Sequence, residues 1–329
     1  LVDTEALGEY EIIRIIRKHL TLMPDMPVPF GDDVSAVQLL GDGMVVLKTD
    51  MLVAATDIPK GMSLYHAARK AIVMNISDFA SKGVMPTAAV VALGLPKTLA
   101  NRKAIAEIAE GLNAGAREYG AYIIGGDTNE TSDLIISVSL FGTAHHTVTL
   151  RSGAKAGDIA AVTGLFGKTS AGLRLLQGNC NASPKDRELL ADAVLCPNAR
   201  LREGLALRDL ISSSMDSSDG LAWSLHELAR ASKVGFLIDR LPVAPEVHEF
   251  AQTNGLDNVD LVFYGGEEYE LVLTVKPEKW TEAEAAVKAV GGCLIPIGKA
   301  TYDREIFLEM NGLKRVIEPR GWEHFKSPA

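Results

Sequence analysis

At 329 residues the chain is long enough for one large or two ordinary domains, and an apolar fraction of 47% with 30 glycines argues against disorder. With 33 basic and 42 acidic residues the net charge is −9, which disfavours a general binder of nucleic acid or anionic membranes. Cys180, Cys196 and Cys293 are odd in number, far apart and without CxxC spacing; with no signal-peptide pattern and no apolar run of about 18 residues, a soluble cytoplasmic protein is expected.

Leu7, Ile12, Ile13, Ile15, Ile16 and Leu20 form a helical stripe over residues 5–20. After Pro24, Pro27 and Pro29, the runs Val34–Leu40 and Met44–Leu47 flank Gly41-Asp42-Gly43 and predict a β-hairpin. Ser63 is a natural N-cap for a helix through about Ser81. A strand Ala88–Leu95, a helix over 99–118, a strand Tyr122–Ile124 that delivers Gly125-Gly126-Asp127, and a strand Leu134–Phe141 complete the first half. The polar, turn-rich stretch from Gly142 to Gly157 places a boundary near 148, giving domains 1–147 and 148–329. The second half reads as strand 158–163, a Gly-rich turn and helix, helices near 199–211 and 219–231, and strand 234–238. Strand 270–275, helix 280–290 and strands near 294–298 and 305–309 follow. Without strict βαβ alternation, the expected class is α/β of α+β character with mixed sheets, rather than a doubly wound parallel sheet.

Aspartates recur where apolar runs meet small residues: Gly31-Asp32-Asp33, Thr49-Asp50, Ser77-Asp78, Gly125-Gly126-Asp127 and Asp216-Ser217-Ser218-Asp219-Gly220. Each has a plain reading as a turn or cap. Asp78 is the hardest to dismiss, because it lies inside an otherwise apolar helix, where burial costs several kcal/mol unless a cation or hydrogen bonds compensate. Asp219 has even odds of being a simple N-cap, which leaves Asp216 at a strand end needing a partner. Jointly the set describes a site for hard cations, and Mg²⁺ binds through a few carboxylates together with substrate phosphates. Gly167-Lys168-Thr169 resembles the tail of a Walker A loop, but position 162 is Val where that motif requires Gly. The turn either offers backbone N–H groups to an anion or is merely tight. His145-His146 reads as a solvated loop pair, and no arrangement supports nucleophilic catalysis. Arg151 at the domain junction is a candidate phosphate clamp, with an ordinary surface Arg nearly as good a reading.

Taken in order, GDD, KTDML, NISDFASKGVMP, IIGGDTN, VTLRSGAKAGD, MDSSDGL and GGEEYELVLTV resemble the thiamine-monophosphate kinase family. That family lies in the superfamily of aminoimidazole ribonucleotide synthetase and selenophosphate synthetase. The resemblance runs from about residue 5 to Gly321-Trp322-Glu323-His324-Phe325. It implies transfer of the γ-phosphoryl group of ATP to thiamine monophosphate, giving thiamine diphosphate and ADP. It also implies several Mg²⁺ ions, with room for a monovalent cation. By motif, Asp33, Thr49, Asp50, Asp78, Asp127, Asp216 and Asp219 would bind metal, with Asp219 also catalytic. Tyr119, Gly126, Asp127, Arg151 and Ser218 would contact ATP, and Asp57, Glu267 and Trp322 the substrate. The implied architecture is the two-domain aminoimidazole ribonucleotide synthetase-like fold, whose N-terminal strands form a β-barrel across a homodimer. Nucleic acid and membrane are not expected as partners. Three positions depart from the family pattern: Glu268 replaces Asp, Asp57 replaces His, and Lys48 replaces Ser or Thr. The alternatives are another ATP-dependent enzyme of the superfamily, nearest aminoimidazole ribonucleotide synthetase, or a noncatalytic ATP/Mg²⁺-binding regulator. The lack of a cysteine before Cys180 counts against selenophosphate synthetase, and the C-terminal Lys326-Ser327-Pro328-Ala329 against a hydrogenase-maturation enzyme.

Overall fold

The structure is a computed structural model, described here for residues 7–325 except 40, 146 and 179. The His145-His146 pair, the Leu40 end of the first predicted strand, residues 5–6 of the first predicted helix and the C-terminal tetrapeptide therefore lie outside the described residues in whole or in part.

The first half contains α1 (Glu9–Lys18), β1 (Ser35–Gln38), β2 (Met44–Val53), α2 (Ala54–Asp57) and α3 (Leu64–Ser81). These are followed by β3 (Pro86–Leu95), α4 (Arg102–Glu118), β4 (Tyr122–Glu130) and β5 (Ile135–Ala144). The strands form one sheet in the order β1-β2-β5-β3-β4, antiparallel except for the parallel β3–β4 pair. The hairpin is as expected, with Ser35 opposite Leu47. β4 is longer than predicted. Gly125, Gly126 and Asp127 lie inside the strand, because β3 offers a continuous pairing edge through Glu130. Gly126 is required there for space: a Cβ would stand 1.9 Å from the Val91 carbonyl oxygen.

The second half contains β6 (Ile159–Val162), α5 (Lys168–Leu176), α6 (Pro184–Leu195), α7 (Leu201–Leu207), β7 (Ser213–Asp216), α8 (Leu221–Ser232) and β8 (Gly235–Ile238). It continues with α9 (Pro245–Asn254), α10 (Asn258–Tyr264), β9 (Leu271–Val275), α11 (Trp280–Ala289), β10 (Ile295–Thr301), β11 (Ile306–Met310) and β12 (Leu313–Val316). Its seven strands run β12-β11-β8-β10-β6-β9-β7, with parallel β11–β8 among antiparallel neighbours. Both sheets are thus mixed α/β assemblies. α6, α9, α10 and β12 were not predicted; Pro184 and Pro245 at helix starts are their clearest overlooked signals.

α3 ties the halves together. Ser63 caps it by accepting the His66 amide, as its sequence predicts. The helix is buried on nearly all sides: α4 covers one, the first sheet another, and α7 and β7 from the second half a third. Ile72, Ile76 and Phe79 are fully buried, each contributing roughly 1.5–3 kcal/mol. Close approach of α7 depends on Gly204, where a Cβ would meet the Ala80 carbonyl oxygen at 1.9 Å. A helix enclosed this way cannot release polar side chains to water. Lys70, Ser77 and Asp78 must therefore find partners inside the protein, and their partners define the site.

Candidate active site

Three carboxylates from distant parts of the chain converge. Asp33 precedes β1, Asp78 sits in the buried part of α3, and Asp216 ends β7. One oxygen from each lies within 4.8 Å of the others, and none of the three residues is more than 5% exposed. The surrounding cations are distributed unevenly. Lys82, fully buried just past α3, pairs with Asp32 at 2.6 Å and Asp33 at 2.8 Å, and donates to the Ser214 carbonyl. Arg151 donates Nε to Asp33 at 2.6 Å and a further guanidinium nitrogen to Glu227. Its backbone amide donates to Asp32. Ser81 also donates to Asp33. Burial would raise the Asp33 carboxyl, but Arg151 and Lys82 outweigh it and hold the group well below the usual carboxylate range.

The other two members lack that compensation. Burial pushes Asp78 up, and Asp216 and Asp50 add to the effect against the opposing charge of Lys48. Burial likewise raises Asp216, with Asp33 reinforcing it; its Ser77 hydrogen bond at 2.8 Å is a weaker counterweight. A buried carboxylate cluster with charge left over asks for a cation. Three hard oxygen donors at this spacing fit Mg²⁺.

The remaining predicted metal ligands are arranged differently. Strand alternation turns Lys48 and Asp50 toward α3 and Thr49 toward the opposite face. There the Thr49 hydroxyl donates to the Val138 carbonyl and accepts from Ser139. Lys48 Nζ lies 3.0 Å from Asp78 and 3.4 Å from Asp50. Asp127 stands exposed on the edge strand β4 beside Ala92 and is not among the three convergent carboxylates. Tyr119, at the end of α4, accepts the Ala199 amide at 2.9 Å; burial pushes its hydroxyl up to about 12.

A second set of predicted residues gathers at the start of α8. Gly220, not Asp219, is the N-cap of that helix. Asp219 instead accepts the Tyr10 hydroxyl from α1 at 3.2 Å, and the Tyr10 ring lies 4.6 Å from Trp223. Burial, reinforced by Glu9, lifts the Asp219 carboxyl to about 6. The Ser218 carbonyl accepts the Glu267 amide at 2.6 Å, and the Asp219 carbonyl accepts the Trp322 amide at 3.0 Å. Backbone bonds thus bring Asp219, Glu267 and half-exposed Trp322 together. Glu267 has φ +64° and pairs with the buried Lys70, which also donates to the Asp57 carbonyl. The Asp57 carboxylate itself turns back to the Val53 amide.

The Gly-rich turn is resolved differently from a phosphate loop. Glu268 accepts the amides of Gly167 and Thr169 at the start of α5, so the protein's own carboxylate sits where an anion would. Burial lifts this carboxyl to about 7 against those hydrogen bonds. Next to it, Glu270 is paired with Arg200 and accepts the Thr163 hydroxyl at 2.7 Å.

Sequence reasoning missed Lys82, Lys70 and Tyr10. A lysine just past a helix end looks like a solvated partner of the helix dipole. Tyr10 is hidden in an amphipathic stripe. Neither residue type announces a site until its partners are known.

The family model for the AIR synthase related protein N-terminal domain matches residues 31–144, and that for the C-terminal domain matches residues 155–311. The thiamine-monophosphate kinase of Nitrosopumilus maritimus is 36% identical over 97% of this chain and 99% of its own length. That of Pyrococcus horikoshii is 35% identical over 90% of this chain and 91% of its own. The solved structure of AaThiL complexed with AMPPCP and TMP superposes with a TM-score of 0.85 at 28% identity, covering 97% of both chains.

Proposed function

The chain belongs to the thiamine-monophosphate kinases among the AIR synthase related proteins, and on that premise we propose how it carries out ATP-dependent phosphorylation of thiamine monophosphate to thiamine diphosphate and ADP. The observation that carries this reading is the convergence of Asp33, Asp78 and Asp216 with charge left uncompensated. The acceptor is itself a phosphate anion, so no strong base or covalent nucleophile is needed. Repulsion between two polyanions is the main barrier, and in-line positioning with neutralisation lowers it. Bound Mg²⁺ would supply Lewis-acid neutralisation of the phosphates.

In this proposal Asp33, Asp78 and Asp216 hold the metal. Lys82 and Arg151 fix Asp33 as a carboxylate in one orientation. Arg151, Gly126, Asp127 and Ser218 belong to the nucleotide side. Asp219 faces the acceptor phosphate, with Glu267 and Trp322 at the thiamine end; the backbone bonds joining these three residues support that grouping. The reaction is assigned to the cytoplasm. We also assign a homodimer in which the first sheet closes into a barrel with a second copy. Support comes from Leu47, Met51, Val90 and Ile124, large apolar residues exposed on strands of that sheet.

Incubation with thiamine monophosphate, ATP and Mg²⁺ tests the reading. Equal amounts of thiamine diphosphate and ADP are expected, and neither without a divalent cation. Tight ATP binding with no thiamine diphosphate formed would overturn it.

A further inference from the structure

Resting on the metal-site reading above, we propose that the ammonium of Lys48 is a resident cation: it holds the Asp50–Asp78 position of the acidic site, which therefore takes one divalent ion fewer than its carboxylates alone would bind. The geometry is specific. Lys48 projects from β2 toward α3, and its Nζ bridges Asp78 at 3.0 Å and Asp50 at 3.4 Å. Its side chain is only 19% exposed, so the ammonium is largely withdrawn from water. A desolvated ammonium persists where carboxylates replace its hydration, and two are supplied here, Asp50 from the same strand and Asp78 from α3.

Charge counting separates this position from the rest of the site. Asp33 has Lys82 and Arg151 on it, and Asp32 shares Lys82. Asp50 has Lys48. Asp78 is shared between Lys48 and the triad, and among the described residues the Ser77 hydroxyl is the side-chain hydrogen-bond partner of Asp216. A divalent ion held by the triad would thus share the Asp78 carboxylate with Lys48. Lys48 is a positioning residue in this account: it fixes the Asp78 carboxylate toward the triad and keeps Asp50 out of metal coordination. A lysine is suited to this because its compact ammonium acts as a point charge on a flexible stem.

Counting Mn²⁺ bound per chain by equilibrium dialysis, without nucleotide, tests the proposal. The wild-type protein, Lys48→Ser and Lys48→Arg are compared. Lys48→Ser is expected to bind one Mn²⁺ more than the wild type, and Lys48→Arg the same number. Equal counts for the wild type and Lys48→Ser, with at least one ion bound, would overturn the resident-cation role while leaving the metal-site reading intact. No Mn²⁺ bound by either, also when AMPPCP is added, would overturn the metal-site reading itself, and the present proposal with it. Should Lys48→Ser not fold, Asp50→Asn decides: an unchanged count relative to wild type is expected, and loss of one ion would place a metal on Asp50 and overturn the proposal.

Discussion

Two carboxylate clusters in this protein look alike in sequence and differ in what surrounds them. Asp33, Asp78 and Asp216 face one another across the junction of the halves, and only Asp33 is amply neutralised. Glu268 and Glu270, beside two glycines, are each met by the chain's own donors: two backbone amides at the start of α5 for one, Arg200 and Thr163 for the other. The first cluster leaves two carboxylates without a close full complement of donors, and the second is enclosed by donors of the chain itself. An acid beside small residues is therefore no sign of function until its partners are known.

Substitutions should separate the clusters by which property they damage. Asp216→Asn is expected to lower kcat on the order of 1,000-fold, about 4 kcal/mol of barrier, while the metal-free protein melts no lower than wild type because a repelling charge is gone. Steady-state kinetics and a thermal melt would check both halves of that statement; a large drop in Tm would make Asp216 a structural carboxylate. Lys82→Met should cost about 3 kcal/mol in denaturant unfolding, since it removes the buried ammonium shared by Asp32 and Asp33 and leaves Asp33 to Arg151 and Ser81. Glu270→Gln should cost less, about 2 kcal/mol, because its partner Arg200 is one-third exposed and keeps some hydration. Its KM and kcat should stay close to wild type.

The smallest effect concerns pH. The Glu268 carboxyl is raised from its ordinary value to about 7. An acid raised by folding binds more protons folded than unfolded, so its stabilisation is complete at low pH and is lost as pH rises through about 7. The metal-free protein should melt at progressively lower temperature from pH 5 to pH 8, and Glu268→Gln should make that slope shallower while Asp78, Asp216 and Asp219, raised in the same direction, keep the remainder. An unchanged slope would move the titration elsewhere.

Much of this was legible in the sequence. Ser63 announced α3, the Gly41-Asp42-Gly43 turn announced the hairpin, and Asp78 in an apolar helix announced a buried charge. What stayed hidden depends on long-range partners. Asp219 has the composition of a cap, yet Gly220 takes that place and Tyr10, more than two hundred residues earlier, takes the carboxylate. Asp57 reads as a substrate contact by its place in the motif, and the bond that its carboxylate accepts from the Val53 amide is not announced by the sequence. The alternation that turns Thr49 away from Asp50 follows from the strand, but which face meets α3 is set only by packing. Gly126 is glycine because Val91 is close, a constraint invisible before β3 and β4 are paired.

We place a divalent cation among Asp33, Asp78 and Asp216. Crystals grown with Mn²⁺ and AMPPCP, measured for anomalous scattering, test it most directly. A manganese peak coordinated by oxygens of all three residues is expected. Manganese bound only at the nucleotide or elsewhere, with the three carboxylates making no contact to it, would contradict the account.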